Sequence, residues 1–261
     1  MSDDSRPVQP VRSYAIGDVH GQVARLRAAH ALIAADRART GDHAAPVVHL
    51  GDLVDRGPSS CGVIEFLLEG LRGGAPWRVL MGNHDRMFAM FLDDPGAHDP
   101  QLRPGLDYVH PAIGGAATLA SYGVEGAGRR PLSALHAEAV AAVPPAHRTF
   151  LAGMALWHRR GPVVFVHAGL RPGVALEAQE PHDLMWIREP FLSDRGDHGA
   201  LVVHGHTALP RAVHFGNRVD LDTRAGYGGP VTAAVVEGRR VHLLTDAGRV
   251  PLVPGARAGV A

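Results

Sequence analysis

Short apolar runs alternate with longer amphipathic stretches through the chain. Tyr14 to Ile16, Val47 to Leu50, Trp77 to Met81, Val163 to Val166 and Leu201 to Val203 are dominated by β-branched and apolar side chains, a pattern that predicts short buried strands. Residues 22–38 place Val23, Leu26, His30 and Ile33 at helical spacing, and 60–71 (SCGVIEFLLEGL) follow the same period. Strand, helix, strand, helix predicts a mostly parallel sheet with right-handed crossovers in the first half. Residues 86–160, rich in Ala, Pro and Gly, predict a mainly helical insertion. Beyond residue 200 the pattern turns to strands with tight connections, and VTAAVVEGRRVHLLT (231–245) predicts a hairpin around Glu237-Gly238. No internal repeat and no separating linker interrupts the pattern. The expectation is one domain over 11–250, with loose ends at 1–10 and 252–261.

A polar turn follows each of the five strands: GDVHG (17–21), GDLVDRG (51–57), GNHD (82–85), HAGL (167–170) and HGHT (204–207). The carboxyl ends of strands in open α/β sheets converge on one crevice, so these turns are predicted to face one another. Each piece alone has an ordinary explanation. A Gly-Asp after a strand is usually just a turn, Asn-His-Asp can cap a helix, and a lone Arg56 is more often a solvated charge. Isolated histidines such as His30, His43 and His136 are more often surface or core residues than ligands. Five such turns in order, each behind a strand, describe a site.

The residue types then narrow the chemistry. Asp18, His20, Asp52, Asn83, His167 and His206 offer oxygen and imidazole donors without a thiolate, a set suited to Mn²⁺, Fe or Zn²⁺ and too nitrogen-rich for Ca²⁺. A carboxylate can bridge two ions, and a pair roughly 3.5–4 Å apart clamps both the attacking and the leaving oxygen of a phosphoryl displacement. Asp52 is the candidate bridge.

Composition changes this picture little. A chain of 261 residues, 46% of them hydrophobic, can bury one sizeable core. Its 26 basic and 26 acidic residues leave no net field pointing to nucleic acid or anionic lipid. All the basic residues of that count are arginine, a bias that reads first as genomic. Cys61 is the single cysteine, so no internal disulfide is possible and a reducing compartment is expected. The opening MSDDSRPVQP lacks the basic and apolar segments of a signal peptide, and no apolar run approaches membrane-spanning length. The expected location is the cytoplasm, with no membrane partner.

Taken together, GDVHG, GDLVDRG, GNHD, HAGL and GHT resemble the signature set of the phosphoprotein phosphatases, calcineurin-like dinuclear metallophosphoesterases, in their bacterial and lambda-phage-phosphatase-like branch. The resemblance spans about 14–236, including GGAATLASYG (114–123) and LMWIREPF (184–191). It implies an α/β fold with a central β-sandwich of mixed sheets flanked by helices. It implies that Asp18, His20 and Asp52 hold one divalent ion, and that Asp52, Asn83, His167 and His206 hold the other, with Mn²⁺ the expected metal and Fe or Zn²⁺ alternatives. His84 would be the general acid and Asp55 its supporting carboxylate. Arg56 and Arg188 would grip the phosphate, a hydroxide bridging the metals would attack, and no covalent phosphoenzyme would form. Guanidinium forks suit phosphate oxygens on their own chemistry.

Some positions sit apart from that pattern. His204 lies two residues before His206, and on a continuing strand both would face one way; the resemblance favours His206, in the Gly-His pair. Arg224 stands where the family carries a small residue, often glycine, and Asp85 is given no direct role. The implied substrate is a phosphomonoester, most simply a phosphorylated serine or threonine of a protein, with phosphotyrosine and small phosphate esters also open. The competing activity is hydrolysis of diadenosine tetraphosphate, whose enzymes resemble GDLVARG, with alanine where this chain has Asp55. A metal-free binding scaffold is the remaining alternative, and the intact ligand set argues against it.

Overall fold

The computed structural model describes residues 11–255. The apolar runs form strands that belong to two sheets rather than one. The first sheet comprises β1 (Arg12–Ile16), β2 (Val47–His49), β3 (Trp77–Val79), β9 (Ala233–Glu237), β10 (Arg240–Thr245) and β11 (Gly248–Pro251). The second comprises β4 (Trp157–Arg160), β5 (Val163–Val166), β6 (Leu201–His204), β7 (Val213–His214) and β8 (Arg218–Asp220). Their orders are β11-β10-β9-β1-β2-β3 and β4-β5-β6-β8-β7. Parallel pairs join β1 to β2 and β2 to β3, and likewise β5 to β6 and β6 to β8. Antiparallel strands complete both sheets, so each is mixed.

The strands look uniformly apolar because both faces of each sheet are covered. Ala15, Val48, Phe165, Val203 and Val219 belong to one buried cluster between the two sheets. Their neighbours Tyr14, Ile16 and Val47 point the other way, toward α1 (Val23–Thr40) and α2 (Ser60–Arg72). Val164, Val166 and Val202 likewise turn outward, onto Leu184 of α7 (Pro181–Trp186) and the Ile187 and Phe191 that follow it. The period of two along each strand thus separates three layers of core. Each fully buried Leu or Phe in them is worth about 1.5–3 kcal/mol.

Four helices occupy much of the expected insertion: α3 (Asn83–Asp93), α4 (Gly115–Ser121), α5 (Leu132–Ala142) and α6 (Pro145–Ala152). The strand β4 follows them, in a stretch the sequence pattern gave no strand, and pairs antiparallel with β5. The predicted hairpin forms between β9 and β10. Residues 252–255, expected to be loose, carry two backbone hydrogen bonds: Leu252 N–H donates to Val241 O at 2.9 Å and Gly255 N–H to His214 O at 3.1 Å. The other expected loose segments, 1–10 and 256–261, lie outside the described residues. No helix among the described residues is long and apolar enough to cross a membrane.

Candidate active site

The five polar turns meet across one end of the sandwich. Those after β1, β2 and β3 come from the first sheet, and those after β5 and β6 from the second, so the crevice lies between sheets and not along one. The turns are tight. Among the described residues six non-glycine residues have positive φ, namely His20, Asp52, Asp55, Arg56, His206 and Arg224. Five of these six were candidates from sequence. Such backbone costs on the order of 1–3 kcal/mol per residue and persists where surrounding structure imposes it. The glycines let the chains close up around the carboxylates: a methyl group at Gly82 would lie 2.2 Å from Asp52 Oδ1, and one at Gly205 would lie 2.0 Å from Asp18 Oδ1.

Hydrogen bonds to backbone carbonyls assign the imidazole tautomers, because a carbonyl can only accept. His20 Nδ1–H donates to Val54 O at 2.9 Å and His167 Nδ1–H to Leu50 O at 2.8 Å. Each therefore turns a bare Nε2 toward the crevice. His20 Nε2 lies 3.5 Å from Asp52 Oδ2, and His167 Nε2 lies 3.3 Å from Asp52 Oδ1. Asn83 Oδ1 sits 3.0 Å from His167 Nε2 and 2.9 Å from His206 Nδ1. With its proton on Nδ1, His167 faces Asn83 Oδ1 and Asp52 Oδ1 lone pair to lone pair through Nε2, an arrangement that repels unless a cation stands among them.

The electrostatics fit that reading. Burial pushes His20 down to about 3 and His206 well below its ordinary value, which favours the neutral imidazole, the form that can bind a metal. Burial, then the carboxylates of Asp222 and Asp52, push Asp18 well above the usual carboxylate range. Burial also opposes ionisation of Asp52, but His167, His84, His20 and His206 outweigh it and hold that carboxyl well below the usual range. Ligand atoms of Asp52, His167 and His206 lie within 4.8 Å of one another, as do those of His20, Asp52 and His84. The donor set accepts divalent metal.

His84 is held differently from the other imidazoles. Its Nδ1 pairs with Asp55 Oδ2 at 2.7 Å, and its backbone N–H donates to Asp52 Oδ1 at 3.0 Å. Asp55 is fully buried. Its other oxygen accepts from Tyr108 Oη at 2.6 Å and Thr118 Oγ1 at 2.7 Å. Arg56 donates from Nη1 to His20 Nε2 at 2.7 Å and from Nη2 to His84 Nε2 at 2.9 Å, with its guanidinium 4.8 Å above the Tyr227 ring.

The calcineurin-like phosphoesterase family profile matches residues 11–235. The chain belongs to this family. Among solved structures, this phosphoesterase is similar to a candidate diadenosine tetraphosphatase at 24% identity and a TM-score of 0.59, covering 95% of this chain and 96% of that one. It is also similar to the cold-active protein-tyrosine phosphatase of a psychrophilic Shewanella species, at 16% identity and a TM-score of 0.53, covering 94% and 81%. At these identities the likeness is one of fold. No curated protein matches the chain.

The walls of the phosphoesterase's crevice enclose a cavity of about 210 Å³. Met87, Leu102, Ile113, Trp186 and Tyr227 give it apolar sides, and Arg188 stands exposed at its rim. His204 is fully buried beneath the site against Phe191, at a ring separation of 5.2 Å, and does not line the cavity. Arg224 is exposed and does not line it either. Its φ of 67° is left-handed backbone, which favours glycine and accords with the small residue that the resemblance led us to expect there. Asp85, given no role from sequence, accepts from Leu53 N and Gly82 N, both at 2.9 Å, and ties the second turn to the start of α3. Tyr108 and Asp222 were missed. Asp222 lies two residues before Arg224, a position the sequence had already singled out.

Proposed function

We propose that this phosphoesterase is a dinuclear phosphomonoester hydrolase acting on phosphorylated serine or threonine, with tyrosine also accommodated, in cytoplasmic proteins. The observation that carries the reading is the pairing of His84 Nδ1 with Asp55 Oδ2 at 2.7 Å, braced from behind by Tyr108 and Thr118. A buried carboxylate on one ring nitrogen fixes the imidazole's orientation, so that Nε2 is the atom placed to pass a proton to a departing alkoxide. That help matters most for a basic leaving group such as a serine side chain.

Asp18, His20 and Asp52 would hold one ion and Asp52, Asn83, His167 and His206 the other. Divalent ions held there, Mn²⁺ first and Fe or Zn²⁺ also compatible, neutralise phosphate charge and supply a nucleophilic water near neutral pH. Arg56 and Arg188 would clamp the phosphate oxygens through charge-assisted hydrogen bonds. Arg56 donates to two imidazoles, and an arriving phosphate offers it a stronger acceptor and frees His84 Nε2 for the leaving group.

Two variants probe these roles. Arg188→Ala is expected to weaken binding of substrate and inorganic phosphate by roughly 10- to 100-fold, the loss of a charge-assisted bond of about 1.5–3 kcal/mol, while metal content stays unchanged. The loss should persist with a minimal phosphomonoester, because the contact is to phosphate. Asp55→Ala is expected to slow phosphoserine hydrolysis more than aryl phosphate hydrolysis. Equal slowing of both would detach Asp55 from proton donation.

A second reading, hydrolysis of diadenosine tetraphosphate, gains support from the similar structure described as a candidate diadenosine tetraphosphatase. The deciding experiment assays purified enzyme with Mn²⁺ on a phosphopeptide panel and on diadenosine tetraphosphate in parallel. Faster cleavage of the dinucleotide than of any phosphopeptide or aryl phosphate would replace the first reading with the second.

A further inference from the structure

His206 carries a φ of 64°, and Thr207 N–H donates to Gly205 O at 2.7 Å across it. That is the hydrogen bond of a γ-turn, with positive φ at its centre, a form that is rare and strained. The same strained peptide has a task. His206 N–H points at both oxygens of Asp18, at 3.2 Å each. In a trans peptide the C=O and N–H point in opposite directions, so whatever anchors Gly205 O also aims His206 N–H.

Gly205 O has a second donor. His204 Nδ1 lies 2.9 Å from it, and the other ring nitrogen, Nε2, lies 3.3 Å from Arg218 Nη1. A guanidinium can only donate, so His204 Nε2 is bare and the ring proton sits on Nδ1, where it donates to Gly205 O. Arg218 is itself fixed. Its Nη2 donates to Leu192 O at 3.0 Å, its guanidinium lies 3.7 Å from the Phe215 ring centre, and it is 3% exposed.

We infer that His204 and Arg218 are positioning residues: Arg218 selects the His204 tautomer, and His204 Nδ1–H locks the 205–206 peptide that presents Asp18 and His206 to metal. The inference rests on the reading of Asp18 and His206 as ligands. Peptide reversal would aim the Gly205 carbonyl oxygen at the Asp18 carboxylate and turn away a ligand imidazole. Partners that orient a metal ligand are typically worth 10- to 100-fold in metal affinity.

The test titrates Mn²⁺ calorimetrically into the chelator-stripped full chain. His204→Asn puts an amide N–H where Nδ1–H was, whereas His204→Gln places its amide where Nε2 was, facing Arg218. Both are polar, and thermal unfolding of the metal-free proteins checks that both fold alike. The expectation is Mn²⁺ affinity within about threefold of wild type for His204→Asn, and a 10- to 100-fold loss for His204→Gln. Arg218→Met should share the loss, and adding it to His204→Gln should cost little more, because the two act in series. His206→Ala is the control for the underlying reading and should lose affinity outright. Equal Mn²⁺ affinity in the Asn and Gln variants, with His206→Ala impaired, overturns the positioning role and leaves the ligand assignment standing. Wild-type affinity in His206→Ala overturns both.

Discussion

Asp52→Asn is expected to bind less metal and to lose essentially all phosphatase activity. Both carboxylate oxygens are committed to the site: Oδ1 faces His167 Nε2 and accepts from His84 N–H, and Oδ2 faces His20 Nε2. An amide keeps one oxygen, loses the negative charge, and places an N–H₂ where a cation is to bind. Metal ions contribute several kcal/mol of transition-state charge stabilisation, so the fall in turnover should be on the order of 10³-fold or more. Metal analysis and a phosphomonoester assay read the two effects separately. Two ions still bound per chain, with normal turnover, would remove Asp52 from the bridging position.

His84→Asn is expected to keep its metal and lose its rate. The asparagine amide can stand in for Nδ1 against Asp55, and the backbone N–H to Asp52 is untouched, so the surrounding turn should hold. Only Nε2 is lost. The fall in kcat should be roughly 10²- to 10⁴-fold on phosphoserine peptides, the usual contribution of general acid catalysis. It should be much smaller on p-nitrophenyl phosphate, whose leaving group needs little protonation. His84 lies close enough to His20 and Asp52 to be read as a ligand, and the same variant decides between the roles: a ligand variant loses metal, an acid variant does not. An equal loss on good and poor leaving groups would also argue against the acid.

The polar turns that meet at one end of the sandwich were legible in the sequence strand by strand, for a physical reason. The candidate ligands sit at the carboxyl ends of strands, where a short apolar run gives way abruptly to Gly, Asp and His, and that break is visible one strand at a time. The division of the strands between two sheets is invisible locally, because Val163 to Val166 and Val47 to Leu50 are equally apolar whichever sheet they join. β4 was hidden for the opposite reason. Its residues, Trp157-His158-Arg159-Arg160, are only partly buried and carry no apolar period. Alternation failed at His204 and His206 because β6 stops at His204 and the positive φ of His206 turns the next ring away. Tyr108 and Thr118 reach Asp55 across 53 and 63 residues, a separation no spacing rule spans.

Asn83, from the turn after β3 of the first sheet, meets His167 and His206 of the second at 3.0 Å and 2.9 Å. Metal held by these candidate ligands would therefore couple to the cohesion of the sandwich, and the folded protein should bind more metal than its unfolded chain. By linkage, free metal at 100 times its dissociation constant adds about 2.7 kcal/mol to the stability of the fold. For a domain of this size that corresponds to a thermal midpoint roughly 5–10 °C higher with metal than with chelator. Asp52→Asn should shrink most of that gap. Cellular metal supply would then set how long this protein survives proteolysis as well as how fast it turns over, since cleavage follows the population of opened chains.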